Sequence, residues 1–385
     1  MRDGHLDEAV SALQSALKGD PDNGIAHYHL GLAFDQQGNL ARAETEWRAA
    51  VRLKPDLMEA QRALAAVSIR KNDWDSLYQI ASTIIKAQPT AADGYAMRSI
   101  ASINLKQFSK ADQDVNKAIE VAPQSAVGYV QLGNLRLLQK QFPDAVKAYQ
   151  KGLDVEPANS DALSGLMNAY LLQKQTDKAI EAAQAQIAKV PNSSAFYDLL
   201  GTALFNNKKD YKAAETALRK AAELDKKNSD ALLKLGQALR AEGSVDQAIA
   251  TFQQSIKDNP GEISFYILLG ELYEGQKNWD AAKGMYQKAL QIQPDNPVAS
   301  NNLAYVMLQT GGNVDVAISL AQTARRLMPD SPNAADTLGW AYYQKGLYPT
   351  AIDLFKEALK KVPNDPTFQD HLKKAQQQAP QQPGT

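Results

Sequence analysis

The sequence predicts an all-α solenoid of about ten 34-residue helix-turn-helix repeats closed by a C-terminal capping helix, and three observations carry that prediction. The first is a ladder of prolines: Pro21, Pro55, Pro89, Pro123, Pro157 and Pro191 stand 34 residues apart, and Pro260, Pro294, Pro329 and Pro363 continue the series. A fixed period of this length is the signature of a stacked repeat array, which is read before any single motif. The second is the unit Ile263–Asn296, where Tyr266, Leu269, Gly270 and Tyr273 recur on one helical face, and Ala282, Tyr286 and Ala289 recur after the turn Gly275–Asp280. The third is a pair of small-residue columns: position 8 of the repeat is Gly31, Ala65, Ser99, Gly133, Gly201, Gly236, Gly270, Ala304 or Gly339, and position 20 is alanine in nearly every copy. A larger side chain where the two helices cross would force them apart.

With W/Y, L, G/A and Y on the first helix, and A, F/Y, A and then P on the second, this pattern resembles the tetratricopeptide repeat (TPR) family over nearly the whole chain. The resemblance implies a right-handed α-solenoid, a superhelix whose first helices line a concave groove. It also implies a protein or peptide partner held in that groove.

From the N-terminus, residues 1–23 fit the turn and second helix of a half repeat, because stepping back 34 from Gly38, Ala43 and Pro55 lands on Gly4, Ala9 and Pro21. A half repeat is expected to leave an apolar face open along Leu6–Leu17, through which copies of the chain would self-associate, and to mark a native chain that extends upstream of Met1. Ten repeats then fill 24–365, starting at Gly24, Met58, Ala92, Ala126, Ser160, Ser194, Ser229, Ile263, Pro297 and Pro332. Repeats two and three fit worst: Arg98 takes the place of the leucine at position 7, Ser68 and Ser102 replace aromatics, and Leu77 replaces the position-20 alanine. The segment Met58–Ser125 is therefore expected to be soft. In repeat five, Met167 occupies the small position 8 and is expected to loosen or rotate the packing. Single extra residues at Asn206–Lys209 and Gly311–Gly312 shift the ladder, so that Lys226 occupies one proline rung. Residues 366–378 begin with a proline suited to a first helical turn and form the capping helix, and the Pro/Gln-rich tail 379–385 is expected to be disordered.

Composition narrows the function. The 42 basic and 43 acidic residues nearly cancel, so no global field draws the chain to nucleic acid or to an anionic membrane. There is no cysteine, hence no disulfide and no thiolate metal site. No apolar run is long enough to span a bilayer, and direct membrane insertion is not expected. The sequence reads as soluble, in a bacterial cytoplasm or periplasm, with any native signal or anchor lying upstream.

Enzymatic constellations are missing as well. The histidines are His5, His27, His29 and His371; the two that are close in sequence fall on different sides of a helix, and all four read as structural. There is no phosphate-cradling glycine loop, no His-Glu-x-x-His and no nucleophile elbow. No catalytic residue, metal or cofactor is expected.

Binding is a different matter. In the family, positions 2, 5, 9, 12 and 13 face the groove, and position 9 gives Asn134, Asn168, Thr202 and Gln237 in repeats four to seven. Such side chains can donate to and accept from a peptide backbone. Leu138, Leu172 and Phe205, with Leu137 and Leu171, would receive apolar side chains. A second patch groups Trp340 with Tyr343, Tyr305, Asn301 and Asn302, because tryptophan and tyrosine favour binding hot spots; packing against the capping helix is the competing reading of Trp340. The family's carboxylate clamp does not carry over, since Val130 and Ser164 occupy its lysine position. The closing segment Asn301–Asp330 with Asp336–Trp340 resembles C-terminal repeats of bacterial TPR proteins associated with exopolysaccharide production and envelope protein sorting. The expected function is a non-catalytic scaffold or adaptor holding an extended peptide or a partner's helix. The alternative is the regulatory or substrate-recognition region of a larger enzyme or envelope assembly.

Overall fold

A computed structural model describes residues 5–379 of the 385-residue chain. Met1–Gly4 and almost all of the Pro/Gln tail lie outside the described residues. Among the described residues the secondary structure is helical throughout, with no strand. The chain divides into two compact units between Leu199 and Leu200.

The first unit opens with the helix Leu6–Gly19 and continues with the pairs Gly24–Gln36/Leu40–Leu53, Met58–Arg70/Trp74–Ala87, Ala92–Asn104/Phe108–Val121, Ala126–Leu138/Phe142–Val155 and Ser160–Leu172/Thr176–Lys189. The open apolar face expected at its start is not there. Leu6 is buried, and Val10, Leu13 and Leu17 pack onto the cluster of Leu30, Phe34 and Trp47 in the next repeat, leaving Asp7, Glu8, Ser11, Gln14 and Lys18 outward. A lone second helix satisfies its apolar stripe on its C-terminal neighbour.

The second unit contains the pairs Ser229–Glu242/Val245–Asp258, Ile263–Gly275/Trp279–Ile292, Pro297–Gln309/Val314–Leu327 and Pro332–Gln344/Tyr348–Lys361, then the helix Pro366–Gln378. The two extra residues are absorbed by different means. After Ser194–Ala203 the chain widens into a π-helix, Leu204–Lys208, before Tyr211–Leu224; a π-bulge is how a helix swallows one residue without ending. The other sits in a turn, where Gly311 takes φ +69° and the Gly312 N–H donates to the Met307 carbonyl at 2.8 Å.

Local chemistry explains the period. The carbonyl of a ladder proline accepts the phenol of the tyrosine six residues on, as in Tyr95 to Pro89 at 3.1 Å, Tyr129 to Pro123 at 3.2 Å and Tyr266 to Pro260 at 3.0 Å. Asparagine or aspartate side chains at Asn23, Asn159, Asn228, Asn296 and Asp365 cap the following helix, satisfying amides that have no partner within it. Between the two helices of each pair, one residue is left-handed, and in six repeats it is not glycine: Asn72, Lys106, Lys140, Lys174, Lys209 and Lys277 all lie near φ +60°.

Where the helices cross, position 8 faces position 24, and their volumes trade. A Cβ built on Gly270 would fall 2.5 Å from the Tyr286 ring, and one on Gly133 equally close to Tyr149. In repeat five the trade reverses: Met167 is buried where position 24 is the fully buried Ala183, so the loosening expected there is offset by a smaller partner. Repeat three solves the crossing with charge. Arg98 donates twice to the buried Asp114, Nε to Oδ2 at 2.9 Å and Nη2 to Oδ1 at 2.6 Å, and lies over the Tyr78 and Tyr95 rings. The hydroxyl of Ser102 is buried there without a hydrogen-bond partner.

Candidate functional site

The site is built on two neighbouring first helices of the first unit. Asn134 projects from Ala126–Leu138 and Asn168 from Ser160–Leu172, and both line one cleft of about 350 Å³ together with Gln131, Ser164 and Tyr149. Tyr149 forms its floor. The ring is fully buried between two glycines, Gly133 of its own repeat and Gly165 of the next, where added Cβ atoms would fall 2.5 and 2.2 Å from it. Its phenol donates to Asn134 Oδ1 at 2.7 Å, and burial holds the phenol above its usual pKa, so it remains a donor. Asn134 is thereby fixed with its oxygen engaged and its Nδ2 lying 3.4 Å from Gln131 Oε1. Asn168 is exposed. One asparagine is oriented and the other is free to turn, so the cleft offers both donors and acceptors to a backbone.

Leu138 and Leu172, at the ends of the same two helices, are 60% and 56% exposed. Leu137 lines the cleft itself. Exposed leucines beside these amides form a surface that can take both the backbone and the side chains of a docked segment.

In the second unit the sequence candidates scatter. Gln237 is exposed, whereas the Thr202 hydroxyl is buried with no hydrogen-bond partner. Phe205 lies in the π-helix and packs against Tyr211 with ring centroids 5.5 Å apart.

The C-terminal patch splits in two. Trp340 stacks on Tyr343 at 4.7 Å and on His371 of the closing helix at 4.2 Å, with the Lys374 ammonium 5.6 Å from its ring. Trp340 and Tyr343 are therefore engaged in holding the closing helix. Asn301 and Tyr305 instead line a separate cleft of about 260 Å³ with Asn302, Glu274, Asp336 and Asp365. Burial raises the carboxyl pKa of both Glu274 and Asp336; hydrogen bonds from Tyr286 and His371, respectively, oppose it. Tyr305 is raised by burial and by these same acids.

Sequence models of the tetratricopeptide repeat match residues 1–57 and 308–366, 136–202 and 208–272, and 264–296. The chain belongs to the tetratricopeptide-repeat family. A TPR chain of this kind is a protein–protein interaction scaffold. No curated protein matches it in sequence. Among solved structures it is similar to YrrB, described as a TPR protein with an unusual peptide-binding site, at 26% identity over 48% of this chain and 95% of that one, with a TM-score of 0.37. It is similar to MamA at 30% identity over 44% and 92%, TM-score 0.37, and to yeast Tom70 at 16% identity over 98% and 92%, TM-score 0.44.

One contributor to these TPR clefts escaped sequence reading. Tyr149 reads as one more core aromatic, and only its OH reveals that it orients Asn134; the signal was the pair of glycines, Gly133 and Gly165, on either side of it. Glu274 of repeat eight and Asp336 of repeat ten occupy groove positions 12 and 5, and only the packed structure brings them together with Asn301 of repeat nine. Among the described residues no helix is long and apolar enough to cross a membrane, and no group of three His, Asp or Glu is placed to hold a metal ion.

Proposed function

We propose that this TPR scaffold is non-catalytic and holds an extended peptide segment of a protein partner in the cleft between Asn134 and Asn168. The observation that carries the reading is the lining of one cleft by both amides, with Asn134 fixed by Tyr149 and two exposed leucines alongside. The preorganised Asn134 amide and the adaptable Asn168 amide contact backbone groups that every peptide possesses, while Leu138 and Leu172 select for apolar side chains.

The test is affinity capture of the partner followed by quantitative binding of variants. Asn134→Ala would strand the Tyr149 phenol, which costs about 1–3 kcal/mol of stability, so the cleaner probes are Asn168→Ala and Leu138→Glu, both on exposed positions. The expected result is a loss of at least ten-fold in affinity with unchanged melting temperature. Full affinity in both variants would sink the reading and move attention to the outer face.

A further inference from the structure

The second cleft has a chemistry of its own. Its walls come from repeats eight, nine and ten and from the start of the closing helix: Glu274, Asn301, Asn302, Tyr305, Asp336 and Asp365. Three carboxylates converge there, and neither lysine nor arginine is among the lining residues. Each acid is held in place by the protein: Glu274 accepts from the Tyr286 phenol at 3.0 Å, Asp336 lies 2.9 Å from His371 Nδ1, and Asp365 accepts from the backbone N–H groups of Thr367 and Phe368. These bonds orient the acids and leave further lone pairs open.

A second observation is independent of that charge. Asn301, only 9% exposed, donates from Nδ2 to Asn302 Oδ1 at 3.2 Å, while its own Oδ1 has no hydrogen-bond partner. A buried amide oxygen left without a donor costs free energy until something supplies one. The cleft thus has three acids with no lysine or arginine in its lining, and an Asn301 oxygen with no donor.

We propose that this cleft is a receptor for an arginine side chain presented by the protein partner. A guanidinium carries five donors in a flat fork, matches paired carboxylate and amide oxygens, and is less strongly hydrated than an ammonium, so it enters a half-buried site at lower cost. The cavity of about 260 Å³ admits one such side chain but not a helix. An anionic group is repelled by the three acids, and an apolar one leaves the Asn301 oxygen unpaired. The proposal rests on the reading that this protein docks a partner, but it places an anchor in a cleft separate from the one at Asn134 and Asn168.

The experiment follows the side-chain amide resonances of Asn301 and Asn302 in the full isotope-labelled chain during titration with acetyl-Gly-Arg-Gly-amide. The citrulline tripeptide, of the same shape without the charge, and the lysine tripeptide serve as controls. Saturable shifts of both amides by the arginine peptide, with citrulline and lysine each at least five-fold weaker, are expected. Glu274→Gln and Asp365→Asn are each expected to weaken the arginine peptide at least five-fold, and because asparagine is itself a good cap, the second variant keeps the closing helix. Unmoved amides, equal binding of citrulline or lysine, or undiminished binding in both variants would overturn the proposal. The reporter amides of Asn301 and Asn302 lie outside the Asn134 cleft, so partner binding that survives both Asn168→Ala and Leu138→Glu would remove that reading while leaving this one standing.

Discussion

Repeats three and eight fill the same helix crossing by opposite means. In repeat eight a glycine, Gly270, lets the Tyr286 ring lie against the first helix, and the phenol finds Glu274. In repeat three the corresponding positions are Ser99 and Val115, and the neighbouring leucine position is Arg98, paired to a buried Asp114 beneath two tyrosine rings. An apolar crossing fails gradually when volume is wrong. A charged crossing fails when one partner is removed, because the desolvated survivor has nothing to pair with. Since the stability of a repeat array is roughly a sum over repeats and their interfaces, such differences are locally measurable. Hydrogen exchange should show Met58–Ser125 opening before Ser229–Asn296; equal protection would erase the contrast.

The largest expected effect breaks the charged crossing. Asp114→Ala should destabilise the chain by about 3 kcal/mol in urea unfolding, and the double variant Arg98→Leu/Asp114→Ala should recover most of that loss, since replacing a buried pair by apolar residues is often neutral. Next comes steric overfilling of the apolar crossing: Gly270→Ala places a Cβ 2.5 Å from Tyr286 and should cost about 1–3 kcal/mol. Ser99→Ala at the same position of repeat three should change stability by about 0.5 kcal/mol at most, because the Ser99 hydroxyl bonds only its own helix, to the Ala96 carbonyl. If the two alanine variants behave alike, position 8 is not where the repeats differ.

A smaller effect is predicted to be equal in the two repeats. Lys106 and Lys277 lie at φ +59° and +58°, in the left-handed region that costs a non-glycine residue about 1 kcal/mol. Lys106→Gly and Lys277→Gly should therefore each raise the melting temperature, and by similar amounts; unequal gains would mean that the core, and not the backbone, sets the response. The smallest effect depends on pH. Burial holds Glu274 above the usual carboxylate range, so the folded state favours its protonated form, and that contribution is present below the unfolded pKa and lost as pH rises through the folded value. Glu274→Gln should accordingly leave acid stability nearly unchanged and raise stability at neutral pH, read as urea midpoints at both pH values. A gain at acid pH alone would contradict the sign.

The sequence by itself determined the all-α repeat fold, because proline, tyrosine and small residues recur at fixed offsets and act over short sequence separations: the Pro260 carbonyl accepts from Tyr266 six residues on, and Gly270 admits Tyr286. It also singled out Asn134 and Asn168, which the structure brings to one cleft. Tertiary structure alone decided matters that depend on side chains meeting across elements. Met167 fits because Ala183 is small; Arg98 is tolerated because Asp114 faces it. Trp340 has the composition of a hot spot, yet its ring stacks on His371 of the closing helix. Asn301 and Asp336 meet in a cleft whose walls come from separate repeats. A repeat period sets the address of each position, but which side chain fills the space opposite is fixed only when the helices pack.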